Sequence, residues 1–212
     1  MSIKSTSEFF DLQPNVDSRV AVIDIGSNSV RLVVYDKNGR YPTPLFDERS
    51  NCRLGAQLDE TGHLKRERID ATLVTITRFA SIIRSLDVSV CYPVATAAVR
   101  RAKNGEAFYI PAEEILGMAI QILSPEDEAN YVARGLTLNI PDADGLVADL
   151  GGGSIEIVSL RKGAMKHSAS FNFGHLSDVH ESEVITAFKS VDWIAGQQAK
   201  RLFGVGGSFR AF

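Results

Sequence analysis

Val22-Ile23-Asp24-Ile25-Gly26-Ser27-Asn28-Ser29 returns in the second half of the chain as Val147-Ala148-Asp149-Leu150-Gly151-Gly152-Gly153-Ser154. In each copy a short apolar run reaches an Asp, and one aliphatic residue and a Gly-containing turn follow. A Ser then leads into a second apolar run, over 30–35 or 155–160. This pattern predicts a β-hairpin whose tip offers backbone N–H groups and one carboxylate. One copy is compatible with any tight turn. Two at matching positions predict a duplicated fold whose lobes face each other, with a phosphate and metal site between them.

The flanking sequence fits an α/β fold with a mixed sheet. After strands over 19–24 and 30–36, Asp36-Lys37-Asn38-Gly39 reads as a turn into a third extended stretch before Cys52. Ile69, Leu73, Ile76, Ala80 and Ile83 recur at helical spacing and predict a helix with one buried face. A strand over 88–95 precedes a helix over 104–117, where Pro111 is expected in the first turn of a shorter helix. A strand over 120–123 then meets Ser124-Pro125-Glu126-Asp127-Glu128, a strong helix start, with the helix ending near Gly135. After the second hairpin come a third strand near 165–173, a helix over 184–200, and a strand over 202–205 leading into Gly206-Gly207-Ser208. The expected organisation is a loose extension over 1–18, a first lobe over 19–140 and the start of a second over 141–212. By symmetry with the first, the second lobe lacks its later strands and helices.

With 212 residues, 44% hydrophobic and 23% charged, the chain is long enough to bury a real core. A net charge of −3 argues against nucleic-acid or membrane-surface partners. No apolar run approaches the ~20 residues that span a bilayer, and the N-terminus lacks a signal-peptide pattern. Cys52 and Cys91 have no ligand spacing and read as reduced thiols of a cytoplasmic protein. His63, His167, His175 and His180 show no ligand spacing either and read as structural or surface residues, and Trp193 as helix packing.

Several residues have both a chemical and an ordinary reading. Asp24 and Asp149, at strand ends, suit a divalent ion held directly or through waters, or are simply turn residues. Glu156 shares a strand face with Ser154, whether turned to a metal or to solvent. Glu128 lies in the first turn of its helix, where the dipole is expected to lower its pKa; the ordinary reading is that it caps the helix with Glu126 and Asp127. Arg100 follows a strand and a Thr-Ala-Ala turn, a position from which a guanidinium grips phosphate, with Arg101, Lys103 and Arg53 nearby.

Asp24-Ile-Gly-Ser-Asn-Ser29, Arg53-Leu54-Gly55, Ala95-Thr96-Ala97-Ala98-Val99-Arg100 with Asn104, Glu128-Ala129, Asp149-Leu-Gly-Gly-Gly-Ser154 with Glu156, and Gly204-Val-Gly-Gly-Ser208 occur in this order. Together they resemble the Ppx/GppA (exopolyphosphatase and guanosine pentaphosphate phosphatase) family of the actin/hexokinase/Hsp70 superfamily. The resemblance implies actin-like (ribonuclease H-like) duplicated lobes built on a mixed five-stranded sheet with flanking helices. It implies a hydrolase that releases terminal orthophosphate from inorganic polyphosphate or guanosine pentaphosphate (pppGpp), by in-line water attack assisted by Mg²⁺ (or Mn²⁺). Glu128 matches the family's catalytic Glu before Ala and would orient the water, with Arg100 as its catalytic companion. Gly26, Ser27, Asn28, Ser29, Gly151, Gly152, Gly153 and Ser154 would bind phosphate, and Asp24, Asp149 and Glu156 the metal.

The sequence departs from the family at Pro125, often Gly, and at Ile155, often Thr. Family members usually run to about 300 residues or more, so the chain looks like their N-terminal part. Two alternatives therefore stay open: a non-catalytic phosphate-binding fragment, and a kinase or ATPase of the same superfamily. An incomplete second lobe would expose apolar surface that a homodimer covers. The two hairpins also diverge, with Arg31 past the first Ser and Glu156 past the second, suiting the first turn to phosphate and the second to metal and water.

Overall fold

The computed structural model describes residues 19–37, 42–196 and 199–211; the expected extension over 1–18 and the turn through Asn38-Gly39 lie outside them. The first hairpin forms as expected: β1 (Arg19–Ile25) and β2 (Val30–Asp36) pair antiparallel, with Asp24 opposite Arg31 and Ile25 opposite Val30. β3 (Thr43–Ser50) adds antiparallel to β2, while β4 (Val90–Ala95) and the short β5 (Gln121–Ile122) add parallel, giving the order β3-β2-β1-β4-β5. The second hairpin, β6 (Gly145–Leu150) and β7 (Ile155–Arg161), repeats this pairing with β8 (Ala164–Phe171) and the parallel β9 (Leu202–Val205), giving β8-β7-β6-β9. The two sheets have matching order and sense, except that among the described residues only the first has a strand in the place of β5.

Two short helices, α1 (Leu58–Thr61) and α3 (Ala97–Arg101), and two longer ones, α2 (Arg66–Ser85) and α4 (Glu106–Leu116), accompany the first sheet. α2 turns Ile69, Ile76, Phe79, Ala80 and Ile83 into the core, where Ile23, Ile25, Val30 and Leu32 are fully buried. Pro111 stands inside α4 rather than in its first turn. A proline there costs about 3 kcal/mol. Phe108 and Ala112, both fully buried on either side of it, offset that cost, since burying one large apolar side chain contributes about 1.5–3 kcal/mol.

α5 (Pro125–Asn139) starts at the expected Ser124, and does so on a capping box: the Asp127 N–H donates to Ser124 Oγ and the Ser124 N–H to Asp127 Oδ2, both at 3.1 Å. It runs past Gly135 because Ala133 is buried and Leu136 packs against the second sheet, outweighing the roughly 1 kcal/mol that a helical Gly costs. The helix expected over 184–200 is instead two, α6 (Glu181–Lys189) and α7 (Asp192–Ala195), interrupted at Ser190 and Val191; Gln197 and Gln198 lie outside the described residues. These helices bring Phe188, Trp193 and Ile194 against the buried Ala148, Ile155 and Ile157, with Phe188 edge-on to Phe171 and Trp193 stacked on His167. Among the described residues no helix is long and apolar enough to cross a membrane, and both cysteines are free.

Candidate active site

The hairpin tips meet at the floor of a cleft of about 690 Å³ between the sheets. Within each tip one hydrogen bond closes the turn: Gly26 N–H to Ser29 O at 3.0 Å, and Gly151 N–H to Ser154 O at 2.9 Å. The N–H groups of Ser27, Asn28, Gly152, Gly153 and Ser154 find no acceptor among the described residues, which leaves them available to an anion. Arg53-Leu54-Gly55 buttresses the first tip through its backbone, with Arg53 N–H bonded to Asn28 O at 2.8 Å and Gly55 N–H to Ser27 O at 2.9 Å. The Arg53 side chain is exposed and does not border the cleft. Asn104 fastens the chain at Leu64 through both its amide groups.

The tips also touch each other. A Cβ on Gly153 would stand 2.7 Å from Ser27 Oγ, and one on Gly152 would stand 3.1 Å from the Asn28 backbone nitrogen. A larger residue at either position would force the opposite tip to shift.

Four carboxylates share the cleft: Asp24, Glu128, Asp149 and Glu156. Asp24 is solvent-exposed and lines the cleft, with protein packed around it. Its pKa is raised by that desolvation, against the attraction of Arg31 and Arg49. Burial raises Asp149 to about 6, with repulsion from Asp24 and Glu128 added. Glu156, 3% exposed, is also raised by burial, although it accepts from Ser170 Oγ at 3.0 Å.

Glu128 differs most from expectation. Its pKa is raised to about 7, not lowered by the helix dipole, because burial disfavours the anion more than the Arg100 hydrogen bond favours it. Repulsion from Glu156 and Asp24 adds to the shift.

Arg100 stands behind Glu128 rather than on the cleft wall. Its Nη1 donates to Glu128 Oε1 and, at 2.6 Å, to the Leu123 carbonyl, while Nη2 is buried without a partner among the described residues. Among the described residues, the Arg and Lys side chains that line the cleft are Arg31 and Arg49. Asp47 holds Arg31 in bidentate fashion at 2.8 and 2.5 Å, and Arg49 Nε donates to Ser29 Oγ at 2.8 Å.

Sequence reasoning missed Arg49 because it reaches the cleft only through register, opposite Arg31 on the neighbouring strand. It also read His175 as structural or surface, yet His175 lines the cleft. His175 Nδ1 lies 3.0 Å from Gly151 O and 3.2 Å from Ser208 Oγ. A carbonyl only accepts, so Nδ1 carries the hydrogen.

The carboxylates expected to hold a metal have the chemistry of donors to a hard, partly hydrated divalent ion. Asp24, Asp149 and Glu156 line one cavity with raised pKa values and mutual repulsion, which a cation would relieve. Among the described residues no three His, Cys, Asp or Glu side chains form a ready-made cage.

The family model of Ppx/GppA phosphatases matches residues 32–179. This chain belongs to the Ppx/GppA phosphatase family. Exopolyphosphatase 1 of Mycobacterium bovis is 32% identical over 152 residues, 66% of this chain and 42% of that protein, so the chain spans under half of this curated relative. The crystal structure of an exopolyphosphatase from Cytophaga hutchinsonii aligns with a TM-score of 0.79 at 25% identity, covering 91% of this chain and 68% of that one. The Ppx/GppA enzyme of Aquifex aeolicus aligns with a TM-score of 0.72 at 28% identity, covering 90% and 68%. A Bacteroides thetaiotaomicron protein with an actin-like ATPase fold, 9% identical with a TM-score of 0.56 and covering 91% and 83%, shares the fold. The Ppx/GppA chain is therefore an actin-like α/β protein of an exopolyphosphatase-type hydrolase family.

Proposed function

We propose that this cleft hydrolyses the terminal phosphoanhydride of inorganic polyphosphate or guanosine pentaphosphate, releasing orthophosphate, between a first lobe over 19–140 and a second over 141–212. One observation supports this reading above the others: Glu128, with a pKa of about 7, faces the same cleft as two turns with free N–H groups.

The terminal phosphate would rest on the N–H groups of the Gly26–Ser29 and Gly151–Ser154 turns, with Arg49 and Arg31 offsetting its charge. Glu128 would accept a hydrogen from the attacking water in line with the breaking P–O bond. Near neutral pH its pKa lets it both hold that water and take up the proton. Arg100 keeps one Glu128 oxygen engaged and thereby fixes the carboxylate plane. Asp24, Asp149 and Glu156 would hold Mg²⁺ (or Mn²⁺), which supplies charge neutralisation at the phosphoryl oxygens.

Orthophosphate release from polyphosphate and from guanosine pentaphosphate, with and without Mg²⁺, tests the reading. Wild-type release and its loss in Glu128→Gln, with tripolyphosphate binding kept, is the expected result. Undiminished turnover in that variant would remove Glu128 from the chemistry. Tripolyphosphate binding without any release would favour a phosphate-binding module. That second reading stays open because the chain spans 42% of the curated exopolyphosphatase.

A further inference from the structure

A side-chain bridge crosses from one lobe to the other beside the point where the two turns touch. Arg101, the last residue of α3, pairs through Nη2 with Asp59 of α1, and its Nη1 donates to the Gly153 carbonyl at 3.3 Å. The second oxygen of Asp59 accepts from Ser177 Oγ at 3.4 Å. Arg101 and Asp59 belong to the first lobe, Gly153 and Ser177 to the second. None of the three side chains borders the cleft, so they do not act by touching what it holds.

A turn of three successive glycines has peptide planes that flip at little cost, since glycine admits either orientation. In a trans peptide the C=O and the following N–H point in opposite directions, and every described peptide bond is trans. With its carbonyl turned back to Arg101, Gly153 therefore sends the Ser154 N–H the other way. That N–H has no acceptor among the described residues, and Ser154 lines the cleft.

We propose that Arg101 is a positioning residue for phosphate binding: by holding the Gly153 carbonyl it aims the Ser154 N–H at the bound phosphate, with Asp59 and Ser177 holding Arg101 in place. The inference rests on the phosphate-binding reading of the second turn and adds what keeps that turn in its binding orientation. The motif residue is Arg100; its neighbour, one position on, is engaged entirely elsewhere.

Asp59→Asn separates positioning from simple attraction. It removes a negative charge near the cleft, so a purely electrostatic Arg101 predicts tighter binding of an anion. A positioning Arg101, released from its holder, predicts weaker binding. The measurement is titration of the 212-residue chain with tripolyphosphate, followed by calorimetry and by the ¹⁵N-edited amide shift of Ser154.

Asp59→Asn and Arg101→Met are each expected to weaken binding about tenfold and to abolish the ligand-induced Ser154 shift, with Arg101→Lys restoring part of both. Should Arg101→Met fail to fold by circular dichroism, Asp59→Asn and Ser177→Ala carry the test. Unchanged or tighter binding in Asp59→Asn, with wild-type binding present, overturns this inference alone. No wild-type binding at all overturns the phosphate-binding reading, and this inference with it.

Discussion

Arg100 and Glu128 form an ion pair behind the cleft wall, and the same Arg100 nitrogen also serves the Leu123 carbonyl at the end of the preceding strand. The carboxylate that faces the cleft is thus held from a β-strand as well as from its own helix. One nitrogen of the guanidinium that the sequence offered as a phosphate grip is engaged in doing so, while Nη2 has no partner among the described residues.

That pair sets a pH signature. Activity of the wild type is expected to rise with pH through about 7 as Glu128 loses its proton. Arg100 lowers the Glu128 pKa, so Arg100→Met moves this limb to higher pH and reduces the rate at neutral pH by roughly tenfold or more. The check is a kcat/KM profile between pH 5 and 9. A limb that stays in place while KM alone rises would make Arg100 a substrate contact.

Stability should show the same groups with the opposite dependence. Folding raises Glu128 from 4.5 to about 7 and Asp149 from 3.8 to about 6, so the folded state binds these protons more tightly than the unfolded chain. Their contribution is fully present below the unfolded values and is lost as pH rises through the folded ones. In chelator, Tm is expected to fall between about pH 4 and 7, less steeply in Glu128→Gln. Mg²⁺ should raise Tm more at pH 7.5 than at pH 5, because only the ionised acids hold it. Differential scanning calorimetry reads both.

Gly153 and Gly135 make a matched pair. Gly153→Ala places a methyl 2.7 Å from Ser27 Oγ, with an expected loss of about 1–3 kcal/mol from overpacking. Gly135, inside α5, has nothing within 4 Å of a Cβ, so Gly135→Ala should stabilise by about 1 kcal/mol. Urea midpoints distinguish the two, and tripolyphosphate affinity should fall only in Gly153→Ala.

Arg49 and Arg31 should contribute unequally to binding. Asp47 already neutralises Arg31 through two hydrogen bonds, whereas the side-chain hydrogen bond of Arg49 among the described residues goes to the neutral Ser29. Arg49→Gln is expected to weaken tripolyphosphate binding about tenfold and to reduce its salt dependence; Arg31→Gln should do so less. Calorimetric titration at two salt concentrations checks the order.

Local sequence carried much of this architecture. The two Asp–Gly–Ser tips, the Ser124-Pro125 helix start and the spacing of Ile69, Ile76 and Ile83 are written in short windows, because turn dihedrals, capping and amphipathic period depend on near neighbours. The departures occur where distant packing outvoted those windows. Pro111 is kept inside α4 by Phe108, α5 continues through Gly135 over the second sheet, and the final helical segment breaks at Ser190.

Short windows of sequence specify two hairpin tips of one kind, Arg31 beyond the first and Glu156 beyond the second, and Glu128 in the first turn of a helix. What those groups became depended on the folded chain. Helix position alone argues for a lowered Glu128 pKa, but desolvation in the cleft raised it. Arg100 backs that carboxylate, Arg49 arrives by strand register, and Arg101 joins Gly153 across the lobes. Burial and contact between residues far apart in sequence are properties of the folded surface, and no local window of sequence contains them.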